Sequence, residues 1–126
     1  MASKDILVVE DDRDAQELLM YIFKTEGISA DMASTAEDAE GHLALTHYTF
    51  ALIDLSLKPG IDGWELFSRI KKNPQTATLP CYALTGYGVA DLKKALQEEG
   101  FLELIQKPID VKVFRSWLRS KLNSPM

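Results

Sequence analysis

Polar side chains that could do chemistry stand directly after four of the short apolar runs in this sequence. They are Glu10, Asp11, Asp12, Asp54, Thr85 and Lys107. If the runs are parallel strands of one sheet, their carboxyl ends meet at one edge, where open α/β sheets bind ligands. Carboxylates that converge on a small volume repel one another unless a cation joins them. Hard oxygen ligands suit Mg²⁺ or Mn²⁺, so the pattern predicts a metal site at that edge.

The same set could carry out phosphoryl transfer. Asp54 would be the nucleophile, Lys107 a fixed positive charge that offsets developing negative charge, and Thr85 a hydroxyl donor to a phosphate oxygen. Most of the rate would come from positioning and charge stabilisation.

Each residue alone has a structural interpretation. Asp12 is better explained as a helix N-cap than as a ligand. Asp54 could cap a loop, and Lys107 before Pro108 could be a solvated turn residue. Their joint occurrence at the ends of several strands favours a functional site.

The elements that would position these residues follow from hydrophobic periodicity. Apolar runs at residues 6–9, 28–33, 50–53, 79–84 and 102–106 predict strands, and helical periodicity predicts five helices between and after them. The first helix ends at Gly27, Ser34 and Glu37 form a capping box for the second, and Asn73-Pro74 ends the third. The last helix turns Val111, Phe114, Trp117 and Leu118 inward. This alternation predicts an α/β fold with a parallel sheet covered on both faces.

Composition narrows the function. The 126 residues suit one domain, with a core over about 4–122 and no output domain, and the net charge of −5 argues against nucleic-acid or anionic-membrane binding. The apolar stretch near the N-terminus is too short for a signal peptide or a membrane span, which predicts a cytoplasmic protein. Cys81, the single cysteine, stands in an apolar run and is expected to be a buried, inert thiol.

Five short motifs, in this order and spacing, resemble the response-regulator receiver family. They are ILVVEDD at 6–12, ALID at 51–54, PGIDG at 59–63, ALTG at 83–86 and KP at 107–108. The resemblance implies a flavodoxin-like (βα)5 three-layer sandwich with strand order 2-1-3-4-5.

The resemblance also implies a role for each site residue. Asp54 would accept a phosphoryl group from a histidine kinase or a histidine phosphotransfer protein. Asp11 would bind Mg²⁺ directly, Glu10 through a water, and Ser56 through its backbone carbonyl. Thr85 and Lys107 would contact the phosphoryl group, and a changed protein-binding surface would reach an unknown downstream protein. Such a domain is a switch rather than an enzyme, and it would be a monomer or a weak dimer.

Three features depart from the usual family pattern. The segment between Asp54 and Pro59 is one residue longer, and Lys58 is the candidate for the extra residue. Leu104 stands where the family has an aromatic residue that rotates on activation. Beyond Thr85 and Gly86 comes Tyr87, whose bulk we expect to shield an acyl phosphate from water.

Other functions remain open from the sequence. The chain could be a degenerate receiver that docks without phosphorylation. A Mg²⁺-dependent phosphohydrolase would need a second acid two residues after its nucleophile, where Ser56 stands. A flavin-binding domain would need a phosphate-binding loop in place of the acids after the first strand. His42 and His47 are expected at the surface, away from the predicted site.

Overall fold

The computed structural model describes residues 2–86 and 90–122, in which five strands alternate with five helices. The strands are β1 (Ala2–Val9), β2 (Ala30–Ala33), β3 (Thr46–Asp54), β4 (Cys81–Thr85) and β5 (Leu104–Gln106). The helices are α1 (Arg13–Glu26), α2 (Ala36–Leu45), α3 (Gly63–Lys72), α4 (Ala90–Glu99) and α5 (Val111–Leu122). All neighbouring strands pair in parallel in the order β2-β1-β3-β4-β5, which confirms the predicted flavodoxin-like architecture.

Strand β3 is longer than its apolar run predicts and begins directly after α2. Its first residues pair with the exposed start of β1, with Ala2 opposite Thr46 and Lys4 opposite Tyr48. Of residues 46–49 only Tyr48 is buried, so the start of β3 forms no continuous apolar run from which the sequence could predict this pairing. Strands β4 and β5, by contrast, each start two residues later than expected.

Both predicted ends of α1 are confirmed, and α3 ends at Asn73 as predicted. The side chain of Asp12 accepts a hydrogen bond from the Ala15 amide at 2.9 Å and so caps α1. Gly27 ends α1 in the left-handed conformation, with φ of 69°, which glycine adopts without steric cost. Asp62 caps α3 in the same way as Asp12 caps α1, at 3.0 Å from the Glu65 amide.

The predicted start of α2 was wrong by one residue. Thr35, rather than Ser34, is the N-cap, and its hydroxyl accepts a hydrogen bond from the Asp38 amide. The Ser34 hydroxyl accepts instead from the side chain of Gln16 in α1. Both residues are good caps, so the sequence alone does not choose between adjacent positions.

The core forms two layers, one on each face of the sheet. Alternate residues of β1 and β3 enter different layers because successive side chains of a strand point to opposite faces. One layer packs under α2, α3 and α4, and the other under α1 and α5. We refer to them as the α2–α4 layer and the α1/α5 layer. In α5, Phe114 and Leu118 are buried, while Val111 and Trp117 are half-buried against the same layer.

Two basic residues of α5 form ion pairs with the end of α1. Arg115 and Arg119 both contact Glu26 at the end of α1, at 3.1 and 2.6 Å respectively. The hydrogen bonds from Arg119 hold the pKa of Glu26 below its ordinary value. These contacts hold α5 against α1.

None of the helices described is long and apolar enough to cross a bilayer.

Cys81 is expected to resist thiol reagents in the folded protein. Its side chain is fully buried at the start of β4, and burial raises the pKa of the thiol to about 11. Since the thiolate is the reactive form, modification requires unfolding. The rate of labelling by a chromogenic disulfide should therefore rise with urea in parallel with the unfolded fraction. Rapid labelling without denaturant would contradict a buried thiol.

Candidate functional site

The ends of two neighbouring strands bring the predicted acids together at one edge of the sheet. Glu10 and Asp11 follow β1, Asp54 ends β3, and one carboxylate oxygen of each lies within 4.8 Å of the others. Glu10 has no exposed surface and Asp54 only 3%, whereas Asp11 is half-buried. The predicted convergence of acids is confirmed.

Lys107 supplies the positive charge at this edge. Its ammonium nitrogen lies 2.5 Å from Oε1 of Glu10 and 3.0 Å from Oδ2 of Asp54. Its backbone N–H donates to the carbonyl of Thr85 at 2.7 Å. This backbone bond fixes the residue after β5 against the end of β4 and so directs the lysine side chain toward the acids.

Each of the three carboxylates also accepts a hydrogen bond from a backbone N–H. The donor and acceptor pairs are Asp12 and Glu10 (3.0 Å), Ser56 and Asp54 (2.9 Å), and Lys58 and Asp11 (3.2 Å). Hydrogen bonds from backbone amides to ionised acids are stronger than neutral ones. The carboxylates are therefore oriented as well as gathered.

The buried acids have opposite shifts in pKa. Burial raises the pKa of Glu10 to about 7, with a further rise from its hydrogen bond with Asp54, although Lys107 and the Asp12 amide act against the shift. Burial also disfavours the charged form of Asp54. The hydrogen bonds from Glu10, the Ser56 amide and Lys107 outweigh it and hold the pKa of Asp54 below its ordinary value. At neutral pH Asp54 is thus ionised.

The donor set fits a small divalent cation. Among the residues described, no donor makes a well-oriented hydrogen bond to the buried Oε1 of Glu10, and its contact with Lys107 is ionic. Three carboxyl groups meet here, and Lys107 is the basic side chain that contacts two of them, those of Glu10 and Asp54. The site therefore has an excess of negative charge close to buried side chains. Mg²⁺ and Mn²⁺ prefer such oxygen ligands.

The remaining predicted residues occupy the surrounding positions. Thr85 is buried at the end of β4, and Gly86 follows it, exposed. Leu104 begins β5 and packs, half-buried, against the α2–α4 layer. Ser56 is half-buried beside Asp54. Tyr87 lies outside the described residues, so the shielding of an acyl phosphate by its ring stays a prediction.

The two histidines are remote from this edge, as expected. His42 lies in α2, between Asp31 and Asp38. His47 pairs with Ser3 near the amino ends of β3 and β1, opposite the edge that carries the acids.

Gly63 is a site residue whose role the sequence did not predict. A Cβ atom at this position would lie 2.1 Å from the carbonyl oxygen of Asp54 and 2.8 Å from Cα of Leu55. Helix α3 can therefore start against the end of β3 only without a side chain there. The sequence motif at 59–63 includes Gly63. The need for glycine there, however, depends on how closely the backbone of α3 approaches that of β3, which the motif does not show.

Comparison with known proteins decides the family. The sequence pattern described as "Response regulator receiver domain" matches residues 6–119. The chain belongs to this family. Receiver domains are signalling modules of two-component response regulators, and the acids, threonine and lysine gathered here stand in the motifs that suggested the resemblance.

Some relatives are about as long as this chain, and others are about twice as long. The receiver is 34% identical over 110 residues to an uncharacterised 14.6 kDa protein in the sodA1 3′ region of Leptolyngbya boryana, with 87% of this chain and 83% of that protein covered. It is 32% identical over 117 residues to the transcriptional regulatory protein BasR of Escherichia coli, with 93% of this chain covered. The chain spans 51% of the length of BasR.

A solved structure supports the fold assignment. A response regulator from Chloroflexus aurantiacus superimposes with a TM-score of 0.84 at 28% sequence identity, and the match covers 96% of this chain and 98% of that one.

Proposed function

We propose that this receiver takes a phosphoryl group onto Asp54 from a histidine kinase or a histidine phosphotransfer protein. The observation that supports this most directly is the position of the Asp54 carboxylate. It is ionised at the carboxyl end of β3, held by the Ser56 amide on one oxygen and by Lys107 on the other. A structural acid at a strand end does not need a lysine and a second, buried acid beside it.

In the proposed reaction, a carboxylate oxygen of Asp54 attacks the phosphorus of a phosphohistidine. The new O–P bond forms as the P–N bond breaks, and the imidazole leaves with the electron pair of that bond. Lys107 offsets the negative charge that gathers on the phosphoryl oxygens, and Thr85 donates its hydroxyl to one of them. The product is an acyl phosphate on Asp54.

The metal ligands of this proposal are Asp11 and Asp54 directly, Ser56 through its backbone carbonyl, and Glu10 through a water. Bound Mg²⁺ or Mn²⁺ supplies positive charge that neutralises the carboxylates and the phosphoryl oxygens. Lys107 would then contact the dianionic phosphoryl group directly, while the acids would hold the cation that offsets its charge.

In this proposal the receiver signals through a change in its protein-binding surface, and it does not turn over a substrate. The new charge on Asp54 draws on Thr85, which ends β4, and on Gly86 after it, and so biases the position of α4, the next helix in the chain. Leu104 lacks a ring to rotate, so we assign the signal to a shift of Thr85 and α4 instead. The protein would act in the cytoplasm, as a monomer or weak dimer that binds a downstream protein.

Phosphorylation is expected to depend on Asp54 and on metal. After incubation with acetyl phosphate and Mg²⁺, the intact mass of the wild-type protein should rise by one phosphoryl group. Asp54→Asn protein and wild-type protein in excess chelator should gain none, because the nucleophile or the charge neutralisation is missing. Asp12→Asn is the matched control: it removes an acid at the same edge, and asparagine caps a helix about as well as aspartate.

Two results would contradict the proposal. One is equal phosphorylation of the Asp54→Asn variant, which would place the acceptor elsewhere. The other is no mass gain combined with failure to bind Mg²⁺ or a beryllofluoride mimic, which would favour a docking module that works without phosphorylation.

A further inference from the structure

The hydrogen bond between Lys58 and Asp11 differs from the other two amide contacts of the site. Asp12 and Ser56 each bond to an acid two residues earlier in the chain, so these contacts are local turns. The Lys58 amide reaches an acid 47 residues away in sequence. It joins the segment after β3 to the end of β1, and it comes from the candidate extra residue of that segment.

The backbone at Lys58 is held in place by its neighbours. Leu55 and Leu57 are 3% and 2% exposed, and both pack into the α2–α4 layer. The carbonyl of Leu55 also accepts a hydrogen bond from the Gly63 amide at 3.3 Å. Lys58 is the first exposed residue after this anchored stretch, and Pro59 after it has no N–H to offer. The lysine side chain therefore faces solvent while its amide faces Asp11.

We propose that the backbone N–H of Lys58 is a positioning group for the metal ligand Asp11. It occupies Oδ2 of Asp11 and so presents Oδ1 to a divalent cation in a fixed orientation. This inference rests on the metal site of the proposed function. Groups that orient a metal ligand through a hydrogen bond commonly change metal affinity by about 10- to 100-fold when they are removed.

Two substitutions separate the amide of Lys58 from its ammonium group. Lys58→Pro removes both the N–H and the charge, whereas Lys58→Ala removes the charge and keeps the N–H. Titration calorimetry with MgCl₂ should give an affinity for Lys58→Ala within about threefold of wild type, and an affinity for Lys58→Pro weakened about tenfold or more. Chelator-treated Lys58→Pro should unfold in urea close to Lys58→Ala, which distinguishes a positioning effect from general loss of stability.

The outcomes distinguish this inference from the proposed function. If wild type binds Mg²⁺ and the two variants bind it equally well, the Lys58 amide has no positioning role, while the receiver function stands. If wild type binds no Mg²⁺ at all, this inference fails together with the metal site of the proposed function, and the mass gain on Asp54 then decides whether the rest of that function stands.

A measurement on the wild-type protein covers the case in which Lys58→Pro does not fold. In ¹⁵N-resolved NMR, the Lys58 amide should be protected from hydrogen exchange and should shift on addition of Mg²⁺ with the same midpoint as the calorimetric titration. An unprotected Lys58 amide that does not respond, beside a Ser56 amide that does, would overturn the inference.

Discussion

Replacing Gly63 with alanine is expected to destabilise the domain by about 3 kcal/mol and to slow phosphorylation of Asp54 strongly. The added Cβ would meet the carbonyl oxygen of Asp54 at 2.1 Å and its carbonyl carbon at 2.9 Å. Both are backbone atoms, so neither can rotate away like the end of a flexible side chain. Helix α3 or the end of β3 must move, and a shift of about 1 Å in a reacting group can cost about a hundredfold in rate.

The measurements are urea denaturation and the rate of mass gain with acetyl phosphate. Gly41→Ala is the matched control, because a Cβ at Gly41, in the middle of α2, meets nothing within 4 Å. Alanine there should stabilise the domain by about 0.5–1 kcal/mol through helix propensity. A Gly63→Ala protein as stable and as reactive as Gly41→Ala would show that α3 does not approach β3 this closely.

Replacing Lys107 with methionine is expected to destabilise the metal-free protein by about 2–3 kcal/mol at pH 8. The variant leaves Glu10 and Asp54, both almost fully buried, without the ammonium group that contacts them. Removing one partner of a fully buried ion pair costs about 3–5 kcal/mol, and Lys107, which keeps 22% of its side chain exposed, should cost less. Lys112→Met, at an exposed position of α5, removes the same charge and should change the free energy of unfolding little.

The loss of folding stability in Lys107→Met, relative to wild type, should become smaller as the pH falls below 7. Since the pKa of Glu10 is raised from 4.5 to about 7, the folded protein keeps a proton that the unfolded chain releases. In chelator, wild-type stability should therefore fall by about 3 kcal/mol as the pH rises from 4.5 through 7. The lowered pKa of Asp54 acts only below its ordinary value of 3.8, outside this window.

Urea titrations at pH 5.5 and 8 in chelator measure both effects. Glu10→Gln should abolish most of the pH dependence, because glutamine has no proton to release. Saturating Mg²⁺ should reduce the wild-type slope, since a cation favours the ionised acids. A Lys107→Met deficit that is the same at both pH values would contradict the assignment of the slope to Glu10.

Sequence reasoning was most successful where chemistry and periodicity coincide. Glu10, Asp11, Asp54 and Lys107 were predicted to meet because each follows an apolar run, and the carboxyl ends of parallel strands share one edge. The cap at Asp12 and the left-handed Gly27 followed from local rules. Such features depend on a few neighbouring residues or on the direction of whole strands.

What the sequence did not predict depends on distances between backbones that are far apart in the chain. The need for glycine at Gly63 arises from the approach of α3 to Asp54. The Lys58 amide bonds to Asp11 because two buried leucines anchor the segment before it, and any residue type except proline could donate that bond. The early start of β3 is likewise a property of backbone pairing with β1 rather than of side-chain pattern.

The division of the core by the sheet has a consequence for how such a protein can diverge. Among the described residues, none belongs to both the α2–α4 layer and the α1/α5 layer. Substitutions in separate layers change different sets of core contacts, so their effects on stability should be nearly additive. Each face can then accumulate its own changes, and acquire its own binding partners, without compensation on the other. Strands β1 and β3, whose ends carry Glu10 and Asp54, supply residues to both layers, so they are the part least free to drift.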